Sequence, residues 1–272
     1  MPQELVDEIL DYLLDDSGAL KACSLTCKCL FGATRPLIHR HLVCSDTRLT
    51  LPTRKESHFG RRPWPFEQLI NADRSGVLRF AQQLTFKPEG GTPRPHFKPR
   101  DLQYYILELR SITKLHTLTL INFLLSPFIP VFSEYFGMFT GTLRSLDLRN
   151  AYGTARELSY IISQFLLLED LTIVSPVGEH TEHPERYIPP ITRSPPLRGK
   201  LVLAQAAWKE LSEILAAFPG GLNFRSLELS SSKQLEPIFT ACGHTATSIS
   251  YLWPGGDVNG EQNPSIHVSI SM

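Results

Sequence analysis

LHTLTL at residues 115–120, LRSLDL at 143–148, LEDLTI at 168–173 and FRSLEL at 224–229 share one spacing of apolar residues. The positions are Leu115-Leu118-Leu120, Leu143-Leu146-Leu148, Leu168-Leu171-Ile173 and Phe224-Leu227-Leu229, with shorter copies at Leu84-Phe86, Leu201-Leu203 and Ile249-Tyr251. In every copy the last two apolar residues are two positions apart, the period of a strand that buries one face. Aligned on the middle position, successive copies lie 34, 28, 25, 30, 26 and 22 residues apart. That interval leaves room for a helix between strands, and helical patterns are read at 101–109, 155–168 and 206–218. Strand, turn and helix recurring in this way predict a parallel sheet with helices on its outer side over residues 77–272. A doubly wound α/β domain also alternates strands and helices. Seven copies of one spacing favour a repeat solenoid instead, and the glycine-rich phosphate turn of a nucleotide fold is absent.

Upstream, the period changes. Residues 1–44 read as helix, with Pro2 suited to a first helical position and Glu4, Asp7 and Glu8 near the positive end of the dipole. Leu5, Ile9 and Leu13 recur at i, i+4 and i+8, and Val6, Leu10 and Leu14 widen the stripe. Asp15-Asp16-Ser17-Gly18 reads as a stop and restart, with Asp16 or Ser17 capping a second helix. That helix carries Leu20, Cys23, Cys27, Leu30 and Phe31, and Pro36 opens a third ending near His41 or Leu42. Three helices in about 44 residues sit near the lower size limit for independent stability. Their apolar stripes therefore need a second surface, from a partner or from the rest of the chain. Residues 45–76, rich in Arg, Pro and Ser, read as a linker or long loop.

The opening segment resembles the F-box family, whose pattern runs Leu-Pro-x-Glu-Leu, then Ile-Leu-x-x-Leu, then Ser-Leu-Val-Cys-Lys-x-Trp. The matching residues are Pro2, Glu4, Leu5, Ile9, Leu10, Leu13, Leu20, Ala22, Ser24, Leu25, Cys27 and Lys28. Met1 stands where the family has leucine, Thr26 at a usual valine and Leu30 where tryptophan is frequent. The later region looks like the degenerate leucine-rich repeats often joined to F-boxes, whose units run about 20–29 residues. Phe123, Ala151, Pro176 and Ser232 occupy the place of the usual Asn or Cys. The resemblance implies an α/β chain with a three-helix F-box at 1–44 followed by an irregular leucine-rich-repeat solenoid. It also implies the role of substrate-recognition adaptor in a cullin-RING ubiquitin ligase, binding the Skp adaptor subunit and a target protein. Residue by residue, Pro2, Leu5, Ile9, Leu13 and Leu20 are the expected adaptor contacts, with Glu4 at the rim. The alternative is a non-degradative protein-binding scaffold whose helices dock onto its own repeats.

If the strand leucines point inward, the intervening side chains face outward onto the surface a solenoid uses for binding. The expected target surface includes Thr119, Asp147, Arg149, Asp170, Thr172, Lys200 and Glu228, with Thr117, Ser145, Val202, Ser226 and Ser230 beside them. Its charges are mixed, which suits a mixed or weakly charged target motif better than a polyanion.

Lys and Arg total 27, as do Asp and Glu, so no basic excess draws the chain to nucleic acid or anionic membrane. The acidic start lacks the features of a signal peptide, and five cysteines mostly within 23–44 do not form a secreted disulfide framework. The chain is therefore expected in the cytoplasm or nucleus rather than secreted. Cys27-x-Cys29 and His39-x-His41 are too tightly spaced for a structural zinc site, and Cys23 and Cys27 read as small buried hydrophobes. His180, Glu182, His183 and Glu185 in a Pro-bounded loop are a weak metal pattern. Ser111-x-x-Lys114 and Ser230-x-x-Lys233 lack the companion motifs of a serine hydrolase, and no nucleophile elbow, P-loop or zincin motif occurs. No catalytic, cofactor or metal residue is expected.

Overall fold

The computed structural model describes residues 2–14, 16–46, 76–88, 109–174, 188–191, 193–204, 218, 221–229, 242, 244–252 and 267–271. Among them are nine strands: β1 (His41–Asp46), β2 (Gln83–Pro88), β3 (Thr117–Ile121), β4 (Ser145–Arg149), β5 (Asp170–Val174), β6 (Lys200–Ala204), β7 (Ser226–Leu229), β8 (Ser248–Leu252) and β9 (His267–Ser271). They form one sheet in which every strand lies beside its sequence neighbours, β1 to β9 in order. Strands β1 to β8 run parallel, and β9 pairs antiparallel with β8. A doubly wound sheet reverses its order at a switch point; this sheet never does.

All seven leucine copies become strands, and their spacing sets the register. Leu42, Leu84, Leu118, Leu146, Leu171, Leu201, Leu227 and Ile249 fall in one file across eight strands. Two residues on, Cys44, Phe86, Leu120, Leu148, Ile173, Leu203, Leu229 and Tyr251 form a second file. From β2 to β7 the residues of both files are buried, and the residues between them are half-exposed in β3, β4 and β5. A one-residue slip would turn a whole file to solvent, so burial of one face fixes the pairing. Asn122 and Asn150 leave β3 and β4 at φ 52°, a left-handed turn that asparagine tolerates. Their N–H groups donate to the carbonyls of Arg149 and Val174, 2.8 Å away in both cases, and so extend the ladder past the strand ends.

The main core lies against the buried face of the sheet. Between β3 and β4 the chain packs a 3₁₀ turn at Ile129–Val131, helix α4 (Phe132–Phe136) and a second 3₁₀ turn at Gly137–Phe139. No helical periodicity marks this segment, whose turns are too short to repeat one. It gathers Phe128, Phe132, Phe136 and Phe139, all fully buried, with Phe132 against the rings of Phe136 and Phe165 at 4.7 and 5.9 Å. Between β4 and β5 lies α5 (Ala155–Ser163), five residues shorter than its apolar pattern suggests. Thr154 and Glu157 cap it reciprocally, an arrangement that contributes about 1 kcal/mol. Most of the helical stretches expected at 101–109 and 206–218 lie outside the described residues.

The N-terminal helices are α1 (Gln3–Tyr12), α2 (Ser17–Ser24) and α3 (Lys28–Ile38). As expected, Asp16 caps α2, its carboxylate accepting from the Ala19 N–H at 2.9 Å. The second helix does not run on to Phe31. The Ser24 and Thr26 hydroxyls donate back to the carbonyls of Lys21 and Cys23, and Cys27 is extended, so the chain breaks and restarts. Pro36 lies inside α3 rather than opening a helix; near the C-terminal end it forgoes only one backbone bond. Nor is the segment helical to residue 44, because β1 enters the sheet at His41. The stretch read as a linker falls largely in 47–75, outside the described residues.

Candidate functional site

Helix α1 carries two adjacent apolar stripes. Val6 and Leu10 are buried and form a small core with Leu20, against which Leu13, Leu30, Ala33, Leu37 and Ile38 pack. This core is separate from that of the sheet. The neighbouring stripe faces solvent: Leu5 is 46% exposed, Ile9 40% and Tyr12 84%. Those three stand at i, i+4 and i+7, the spacing with which a helix presents one edge to a partner. Leu25 at 86%, in the α2–α3 turn, and Phe31 at 50%, in α3, are exposed as well. Glu4, Glu8 and Asp11 are exposed on the same helix, and Pro2 precedes it, also exposed.

The structure thus separates the expected adaptor contacts into two groups. Pro2, Glu4, Leu5 and Ile9 lie on the surface, whereas Leu20 is a core residue and Leu13 packs on that core. Leu20 offers nothing to a partner. Tyr12 joins the exposed group unannounced by the family pattern, although its place seven residues after Leu5 puts it on the same stripe.

On the sheet face, the expected target residues are mostly engaged with one another. Arg149 grips Asp147 through Nε and Nη2 at 2.8 to 3.1 Å, a bidentate pair whose hydrogen bonds and charge raise the guanidinium pKa further. Lys200 forms an ion pair with Glu228 on the next strand. Asp170 spends a carboxylate oxygen on the backbone N–H of Lys200 at 2.7 Å. That close approach needs Gly199, where an added Cβ would stand 2.0 Å from Asp170 Oδ1. Asp170 is therefore a strand-to-strand tie rather than a free acceptor. Thr119 and Thr172 are half-buried on the same face, and Ser230 lies outside the described residues.

Two clefts flank these surfaces. One, of about 410 Å³, lies beside α2 and α3, with Phe31, Ile38 and Val77 among its apolar walls and Lys21, Arg35 and His39 among its polar ones. Burial lowers the His39 pKa, and repulsion from Arg35 and then Lys21 lowers it further. The Arg35 guanidinium lies 5.7 Å from the centre of the Phe31 ring. The other cleft, of about 360 Å³, is lined by Arg198, Asn223, Arg225 and Thr245 at the starts of β6, β7 and β8. The Thr245 hydroxyl lies 3.1 to 3.4 Å from the carbonyls of Leu222, Phe224 and Cys242, pinning the turn that holds Asn223. No sequence pattern marks either cleft, since its residues come from separate elements.

Among the described residues, no group of three or more His, Cys, Asp or Glu side chains is arranged to hold a metal, and no helix is long and apolar enough to cross a membrane. His180, Glu182, His183 and Glu185 lie outside those residues. The cysteines are not the buried set expected: Cys27 and Cys29 are exposed, Cys23 is half-exposed and only Cys242 is fully buried. Burial pushes the Cys44 thiol up to about 12 and the Cys242 thiol up to about 11. From an ordinary value near 9, those shifts reduce the thiolate by about 1,000-fold and about 100-fold. Alkylation of the native chain, followed by peptide mass mapping, should therefore modify Cys27 and Cys29 first and Cys44 and Cys242 last.

The chain matches no family model, no curated protein and no solved structure.

Proposed function

We propose that this chain is a target-recognition subunit of a cullin-RING ubiquitin ligase. In this reading α1 docks on the Skp adaptor subunit and the sheet serves as a leucine-rich-repeat solenoid that presents a target. The observation that carries the proposal is the second stripe of α1. The small helical core is already filled by Val6, Leu10 and Leu20, yet Leu5, Ile9 and Tyr12 remain exposed along one edge. Natural surfaces seldom keep such a row without a partner to cover it. The in-order parallel sheet, with a leucine file common to every repeat, supports the solenoid half of the reading.

The mechanism needs no chemistry from this chain. Holding adaptor and target at once raises the target's effective concentration near a conjugating enzyme, and the transfer itself is carried out elsewhere. On the target side, the self-paired charges of β4 to β7 make most of the face close to neutral. Arg198 and Arg225 line the second cleft together with Asn223 and Thr245, and in this reading an acidic group of the target seats there. Capture of the purified chain by an immobilised Skp adaptor tests the assignment. A folded chain that fails to bind at micromolar concentration would leave the scaffold reading in its place.

A further inference from the structure

The acidic apolar stripe of α1 and the apolar cleft beside α3, with Lys21 among its lining, are complementary in polarity and charge. The stripe offers Leu5, Ile9 and Tyr12 flanked by Glu4, Glu8 and Asp11, within sixteen residues that hold six acids and no base. The cleft offers Phe31, Ile38 and Val77 with Lys21, Arg35 and His39 around them. An amphipathic helix laid in an apolar groove uses anchors at i, i+4 and i+7, which is the spacing of the three exposed residues. The helix cannot leave its place to fill the cleft of its own chain, because Val6 and Leu10 anchor it in the helical core.

We infer that the occupant of this cleft is α1 of a second copy, so that the chain pairs with itself through two reciprocal helix-in-cleft contacts. A two-fold arrangement satisfies both halves at once: each copy gives its α1 and receives the other's. The carboxylates of the incoming helix face the exposed ammonium of Lys21 at the rim of the cleft. One consequence rests on the ligase reading above. Leu5 and Ile9 are claimed by the adaptor in the monomer and by the cleft in the dimer, so self-pairing withholds the chain from the ligase.

Sedimentation velocity of the full chain tests the pairing. At about 100 µM and low ionic strength, on the order of 0.05 M, the chain should sediment as a dimer; at about 0.5 M salt it should shift toward monomer. Glu8→Lys alone and Lys21→Glu alone each place like charges in both contacts and should each give monomer. An equimolar mixture of the two variants restores opposite charges in both contacts and should recover the dimer. All the substituted positions are exposed, and unchanged melting temperatures would certify folding. A chain that stays monomeric under the low-salt conditions, or a dimer that Ile9→Asp leaves intact, overturns the inference. Adaptor capture is measured separately, so a dimer without adaptor binding would sink the ligase reading and leave the pairing standing.

Discussion

Leu5→Asp combined with Ile9→Asp should abolish adaptor capture while leaving the fold and its melting temperature nearly unchanged. The argument is one of exposure. Both side chains are 40% or more exposed, and neither belongs to the small core of Val6, Leu10 and Leu20. Exposed substitutions of this kind shift stability by only about 0.5 kcal/mol. In the complex, each aspartate would be a buried charge without a partner where an apolar anchor belongs, a loss of about 2 kcal/mol or more. Two such losses weaken binding by about 1,000-fold, which surface plasmon resonance with immobilised adaptor would read directly. Leu20→Asp is the contrasting control. It places a charge among Val6, Leu10 and their neighbours and should unfold the helices, losing capture through lost structure. Capture that survives the double substitution at full strength would remove α1 from the interface.

The second large effect is expected in the aromatic layer behind β3 and β4. Phe132 is fully buried, and its ring meets Phe136 and Phe165, so it joins α4 to the segment that follows α5. Phe132→Ala removes a ring that close-packed neighbours cannot replace and should cost about 3–5 kcal/mol. Against a total of about 5–15 kcal/mol for a domain, that is enough to lower the midpoint of urea unfolding markedly. A midpoint shift no larger than that of an exposed substitution would mean the layer is not packed as described.

How far the sequence can be read follows from which physical signal each element carries. Seven strands are legible because one leucine spacing both marks them and, by burial, sets their register. β1 is not, because Cys44 takes the place filled by Phe86 and Leu120 in the next strands, and because it follows a helix without a turn signal. β9 is hidden too, since its pairing is antiparallel and its spacing from β8 does not follow the repeat. The helix limits differ from expectation where side-chain hydroxyls and Pro36 give competing boundary signals.

The site is legible by half. In α1 the pairs Val6/Leu10 and Leu5/Ile9 are side by side, and periodicity alone does not say which pair faces the core. The family pattern ranks Leu20 with Leu5, yet one is enclosed and the other exposed. On the sheet, alternation correctly names the outward positions of β3, β4 and β5. It does not foretell that Asp147 and Arg149 hold each other, or that Gly199 lets Asp170 reach a neighbouring N–H. Those outcomes depend on side chains meeting across strands, which a linear pattern does not encode.

Because each strand touches only the strands just before and just after it in the chain, nothing waits for a distant partner to be made. By the time Val174 has left the ribosome, β1 to β5 already possess every neighbour except one. The nascent chain can then close like a zip, each new tooth engaging the last, with β9 running backwards along β8.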